Sequence, residues 1–167
     1  MSENNPAIAS GKPDPNAWKA QLIGKSEKVQ TALINHHKGY NCAQSVACAF
    51  AAELGKSEKE VFEIMEGFGF GMGHMGTCGA VSAIAAVAGM IESDGNLEKP
   101  ASKKTTYKVS KELIKEFEDK NSSIICSEIK GIIDGKKTGK ILRSCDGCVE
   151  DATAIIEKYL QSKAKTL

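Results

Sequence analysis

Arginine is nearly missing from this 167-residue chain. Arg143 stands alone, and lysine and arginine together number 22 against 21 aspartates and glutamates. A formal net charge of +1 excludes the broad basic face with which proteins hold nucleic acid. Aromatic residues make up only 5% of the chain, too few for a base-stacking platform. Proline is confined to Pro6, Pro13, Pro15 and Pro100, so nothing forbids helix between Asn16 and Lys99. The longest uncharged, largely apolar run, Thr77–Ile91, falls short of the roughly 20 residues that a membrane-spanning helix takes. The opening stretch MSENNPAIASGKPDPN has no basic start and no apolar segment of an export signal. The expectation is a cytoplasmic protein, whose thiols stay reduced unless they bind metal, do redox chemistry or pack as small hydrophobes. Six cysteines fall well below the roughly 8–10% that marks a disulfide scaffold, so the fold does not need disulfides.

What is present is helical pattern. Residues 1–16 read as a disordered tail, with three prolines and no periodic apolar residues. The segment 17–163 reads as one all-α, cysteine-containing domain, a bundle of about seven helices. Trp18, Leu22, Val29, Leu33 and His36 recur at helical spacing, and Gly39 supplies a stop. Asn41 caps a second helix running to Leu54. Ser57-Glu58-Lys59-Glu60 is a capping box that opens a third, carrying Val61, Ile64, Met65 and Phe68. A glycine-rich run, GFGFGMGHMG, then ends at Thr77, where a helix over Cys78–Ile91 begins. That helix is apolar all round and made of small residues, which places it at the centre of the bundle. Pro100 suits the first turn of a fifth helix bearing Tyr107, Leu113, Ile114 and Phe117. Short helical signals over Ser123–Ile129 and a last helix with Val149, Ala152, Ile156 and Leu160 complete the pattern. DGKKTGK between them is a turn-rich loop, and no β-hairpin is expected.

The cysteines occupy positions with chemical meaning. Cys42 follows Asn41, Cys78 follows Thr77, Cys126 lies just after Ser123, and Cys145 follows Ser144, so four helices open with a polar cap and a cysteine. Unpaired amides at a helix start favour the thiolate, the form that attacks disulfides and binds metals. If the four starts converge, their sulfurs form one site for an iron–sulfur cluster, another metal, or disulfide exchange. The competing view is core filling, because cysteine is among the most buried residue types. Cys48 fits that view, since it lies roughly 240° around the helix from Cys42. Cys148 either partners Cys145 in a CxxC pair or packs, and Asp146 between them opposes thiolate formation. His36 and His37 end the first helix, where a cation suits the dipole, so both read as structural. His74 and Met75 are soft candidate ligands beside Cys78. Gly73, Gly76 and Gly79 are candidates for bringing backbone close to a cofactor, although no GxxxxGK[ST] is present. No second CxxC completes a zinc ribbon, and Val149 stands where a haem-attachment histidine would be.

The stretches NCAQSV around Cys42, GFGFGMGHMGTCGAV around Cys78, IICSEIKG around Cys126 and SCDGCVEDATAII around Cys145 resemble the redox-active family named after its pattern C_GCAxxG_C_C. The resemblance runs over roughly residues 35 to 160. It places the four family cysteines on Cys42, Cys78, Cys126 and Cys145, and leaves Cys48 and Cys148 as extras. Two departures stand out: Ala83 where the pattern has glycine, and His74 where relatives often carry arginine. The chain is also similar to the cysteine-rich domain of split-Soret cytochromes, without their haem-binding CxxCH.

The expectation from residues and resemblance together is a redox-active protein, oxidoreductase-like if it is an enzyme. Its four cysteines either hold an iron–sulfur cluster for electron transfer or cycle between thiol and disulfide with a redox partner protein. The alternatives are a structural zinc domain using the same four sulfurs, or a helical interaction module whose cysteines only pack. A small-residue core is compatible with a homodimer.

Overall fold

The structure is a computed structural model and describes residues 14–165. The tail expected over residues 1–16 therefore lies outside the described residues except for 14–16, which are exposed and lead into a short 3-10 turn at Ala17–Leu22. Seven α-helices follow: α1 (Glu27–His37), α2 (Cys42–Cys48), α3 (Glu58–Met65), α4 (Gly79–Glu92), α5 (Lys103–Asn121), α6 (Cys126–Ile129) and α7 (Cys145–Ala164). The chain is an all-α bundle. Helix α4 packs against α2, α5 and α7, and α1 lies along α2 and α7. No residue of α4 is exposed. Its small side chains let the neighbouring backbones close in, and α2 shares the centre, buried at every position from Ala43 to Cys48.

The side chains that fill the bundle are Leu33, Phe50, Met65, Ile84, Phe117, Ile155 and Ile156, all under 2% exposed. Burial of each contributes about 1.5–3 kcal/mol. A charged latch ties α7 to its approach segment: Asp151 accepts from Arg143 Nε at 3.0 Å and pairs with Lys120 Nζ at 3.0 Å. Gly147 makes room for it, since a Cβ there would collide with the Arg143 side chain.

Several boundaries differ from expectation. The helix expected from Trp18 to His36 breaks at Gly24, which takes φ +75°, and Ser26 restarts it by accepting from Val29 N. α2 ends at Cys48, and only turns continue towards Leu54. α3 gives way to a 3-10 turn at Glu66–Phe68, and Ile64 on α3 and Phe68 in the turn are both exposed where they were expected inside. Tyr107 on α5 is likewise exposed. Pro100 precedes α5 rather than starting it, and Ser123 lies before α6. Thr77 does not cap α4: Cys78 itself occupies the cap position, and Thr77 forms an isolated antiparallel bridge with Ile125. A hairpin does occur, β1 (Ile132–Ile133) with β2 (Lys136–Lys137), turning on Asp134 and Gly135 at φ 49° and 73°. Asp-Gly suits a turn with two positive φ angles, so the signal was present within the turn-rich loop.

Candidate functional site

Three local features draw the helix starts together. The Thr77–Ile125 bridge is reinforced by Cys78 N donating to Ile124 O at 2.8 Å and Cys126 N donating to Gly76 O at 2.7 Å. The start of α4 is thereby zipped to the start of α6. Gly79 lets α4 meet α2: a Cβ there would lie 3.2 Å from Ala43 N and 3.3 Å from Cys42 Cβ. The β1–β2 hairpin returns the chain so that Leu142 N donates to Ile129 O at 2.9 Å, which sets the start of α7 beside α6. Asn41 caps α2 through a capping box with Gln44, and Ser144 caps α7 by accepting from Gly147 N.

The result is a cavity of about 200 Å³ lined by five of the six cysteines: Cys42, Cys78, Cys126, Cys145 and Cys148. Among the described residues all six cysteines are free thiols. Cys48 lies elsewhere, buried, with its sulfur 3.8 Å from Glu58 O. His36, Asn41, Phe70, Gly79, Ile129 and Lys130 complete the lining. Cys148, whose role the sequence left open, lines the cavity with the other four. Its signal was helical spacing, since it follows Cys145 by three residues on one face of α7. Lys130 stands in the same relation to Cys126, four residues on.

The sulfurs are paired electrostatically. Cys145 is pulled down to about 5, first by the thiol hydrogen bond from Cys42 and then by Lys130, against the opposing effect of burial. Lys130 Nζ donates to Cys145 Sγ at 3.3 Å. Burial disfavours the lysine's charge, yet the contact with Cys145 holds its pKa above the ordinary value. As the donor in this pair, Cys42 is pushed well up. Cys78 is pulled down to about 7 by the thiol of Cys148 and by the amides of Ala80 and Val81, and Cys148 is pushed up in turn. Burial raises Cys126. These shifts favour the thiolate at Cys145 and the thiol at Cys42.

Asp146 follows Cys145 in the first turn of α7. Its carboxylate turns to α1, where Oδ1 lies 2.6 Å from His36 Nδ1 and Oδ2 lies 3.1 Å from His37 Nε2. His36 consequently belongs to the cavity wall and not only to the helix end.

The glycine-rich run crosses the mouth of the cavity as a left-handed loop. Phe70, Gly71, Met72, Gly73 and Met75 all take positive φ, between 53° and 76°. Three of these carry side chains, a conformation that costs of order 1–3 kcal/mol each and persists only where surrounding contacts hold it. Phe70 faces the cavity, and Lys130 Nζ lies 6.0 Å from its ring centre. Of the candidate cofactor-binding glycines, Gly79 lines the cavity. Gly76 serves the bridge to Cys126, and Gly73 is exposed on the loop. His74 and Met75 face a separate depression with Glu128 and Asp134. Ala83, at the position of the pattern's glycine, is fully buried.

The donor chemistry of the cavity is that of a soft metal or a cluster. Among the described residues no group of three or more His, Cys, Asp or Glu side chains is arranged to hold a metal ion. No helix is long and apolar enough to cross a membrane among those residues.

Comparison with curated proteins and with solved structures returned no match. The family model described as "Putative redox-active protein (C_GCAxxG_C_C)" matches residues 40–159, well over half of the chain and all five cysteines of the cavity, though not His36. The chain belongs to the C_GCAxxG_C_C family.

Proposed function

We propose that the chain is a thiol–disulfide redox protein in which Cys145 is the attacking thiolate and Cys42 the resolving thiol. The observation that carries this reading is the setting of Cys145 Sγ, between the Cys42 thiol that donates to it and the Lys130 ammonium 3.3 Å away. A thiolate with a protonated neighbouring thiol is the arrangement that exchange requires. Both residues are half-buried in the cavity wall.

In the reducing direction, the Cys145 thiolate attacks one sulfur of a substrate disulfide. The substrate S–S bond breaks, the far sulfur leaves as a thiolate, and Cys145 is joined to the near half. Cys42 then loses its proton and attacks the Cys145 sulfur. A Cys42–Cys145 disulfide forms, and the second half of the substrate leaves as a thiolate. The substrate gains two electrons, the protein pair loses two, and a dithiol reductant resets the pair. A cavity of about 200 Å³ has room for several water molecules at roughly 30 Å³ each. That is enough for a disulfide-bearing side chain presented by a redox partner protein.

The test is equilibration in glutathione buffers of graded potential, acid quenching, and disulfide mapping by mass spectrometry. The expected product is a Cys42–Cys145 disulfide, with Cys42→Ala accumulating a mixed disulfide on Cys145. Stoichiometric iron or zinc in anaerobically purified protein, with Cys145 unreactive, would overturn the proposal in favour of a metal-holding site.

A further inference from the structure

The end of α1 and the first turn of α7 hold polar groups that the exchange steps above leave unused. Asp146 Oδ1 lies 2.6 Å from His36 Nδ1, and the opposite ring nitrogen, His36 Nε2, lies 4.0 Å from Cys42 Sγ. An ionised carboxylate can only accept, so Nδ1 is the ring atom that carries a proton towards it, and a ring with no second proton offers a lone pair at Nε2 to the sulfur. Thiol, base and orienting carboxylate stand in the order that activates a nucleophile. The carboxylate is itself held from the other side: His37 Nε2 lies 3.1 Å from Asp146 Oδ2, and the His37 ring stacks on Trp18 with centroids 3.9 Å apart and planes 7° from parallel. Helix dipoles account for histidines at the end of α1 and an aspartate at the start of α7. They do not account for one ring bridging that aspartate and a cavity thiol.

The exchange chemistry creates a need for such a group. In the reduced protein the Cys42 thiol donates to the Cys145 thiolate. Once Cys145 enters a mixed disulfide, its sulfur is uncharged and that acceptor is gone. The half-buried Cys42 would then remain a thiol at the moment it must attack. We infer that His36 is the base that takes the Cys42 proton in the resolving step, with Asp146 as the positioning residue that fixes the ring. The inference rests on the exchange reading above. The proton passes from Cys42 Sγ to His36 Nε2, and the electron pair left on Cys42 forms the bond to Cys145 Sγ. The bond from Cys145 to the substrate sulfur breaks, and the departing thiolate recovers the proton from the imidazolium. The groups that face His36 are Cys42 from α2, Asp146 and Cys145 from α7, and the neighbouring His37.

The test is a single turnover of the fully reduced chain with one equivalent of a dipyridyl disulfide. Release of the first pyridyl thiol reports attack by Cys145, and release of the second reports resolution by Cys42. His36→Ala is expected to leave the first release within about threefold and to slow the second by about 100-fold, within the range for a positioned base. Added imidazole is expected to restore the second release in His36→Ala but not in His36→Gln, which fills the space. Asp146→Asn is expected to slow the second release alone, by about tenfold or more. A second release at the wild-type rate in His36→Ala would overturn the assignment of the base, and so would a slow release that imidazole leaves unchanged. Absence of any second release from the wild-type chain would overturn the exchange reading itself, and the base with it.

Discussion

Replacing Lys130 by methionine removes the cation beside Cys145 while keeping the length of the side chain. The Nζ–Sγ distance of 3.3 Å corresponds to an attraction of about 5 kcal/mol at an effective dielectric of 20, and about 1.3 kcal/mol in bulk water. The cavity mouth lies between these limits, and a charge-assisted hydrogen bond contributes about 1.5–3 kcal/mol. At 1.36 kcal/mol per pKa unit, the Cys145 thiol should rise by about 1–2 units from its value of about 5. Two effects then oppose each other. Less of the sulfur is ionised in acid, but the thiolate that does form is the stronger nucleophile, with a Brønsted coefficient of about 0.4–0.5. For a rise of about 1.5 units, the variant should react about fivefold more slowly than wild type at pH 4.5 and about fivefold faster at pH 8, with the two profiles crossing near pH 6. The assay is capture by a methyl thiosulfonate, quenched in acid and mapped to Cys145 by mass spectrometry. A variant slower at both ends, or one whose profile overlies wild type, would refute the electrostatic account of Lys130. The same shift acts on folding. Because Cys145 lies below its ordinary value of 9 in the folded state, its contribution is complete above pH 9 and is lost as pH falls through about 5. Wild type should therefore lose more stability across that window than Lys130→Met, as read from urea midpoints.

Three further outcomes test other parts of the structure. Phe117→Ala empties a fully buried site on α5 and should cost about 3–5 kcal/mol in urea unfolding. Gly147→Ala places a Cβ against Arg143 and should weaken its bond to Asp151, lowering stability by about 1–3 kcal/mol in thermal melts. Cys148→Ala removes the donor to Cys78, whose titration near pH 7, followed by thiolate absorbance in the ultraviolet, should move towards ordinary thiol values.

The parts of the site that were legible in the sequence are those fixed by local chemistry. Asn41 and Ser144 are cap residues, and their side chains hold the starts of α2 and α7 as capping requires, with a cysteine at the first helical position of each. Small residues throughout α4 announced a helix with neighbours on every side. The misplaced boundaries also have local causes. A glycine at a positive-φ position split the first helix at Gly24, and the 3-10 turn after Met65 broke the helical period before Phe68, which a single helical pattern cannot represent. Cys78 was assigned a cap one residue too early because Thr77 has cap chemistry, yet its backbone is engaged with Ile125.

What could not be read is whatever depends on two distant segments meeting. Asp146 looked adverse to its neighbouring cysteines because only the covalent neighbourhood was visible. Its partners, His36 and His37, lie 110 and 109 residues away. That contact reverses the meaning of the residue: a charge that would oppose thiolate formation is engaged by two rings on α1, one of which reaches Cys42. The same meeting explains why the resolving thiol and its base come from opposite sides of one turn. His36 lies in the last turn of α1 and Cys42 opens α2, with Gly39 at φ +106° reversing the chain between them. Any lengthening of that turn would carry Cys42 away from His36 Nε2 while leaving Asp146 on the ring. The cavity would then keep its five sulfurs but lose the route by which Cys42 surrenders its proton.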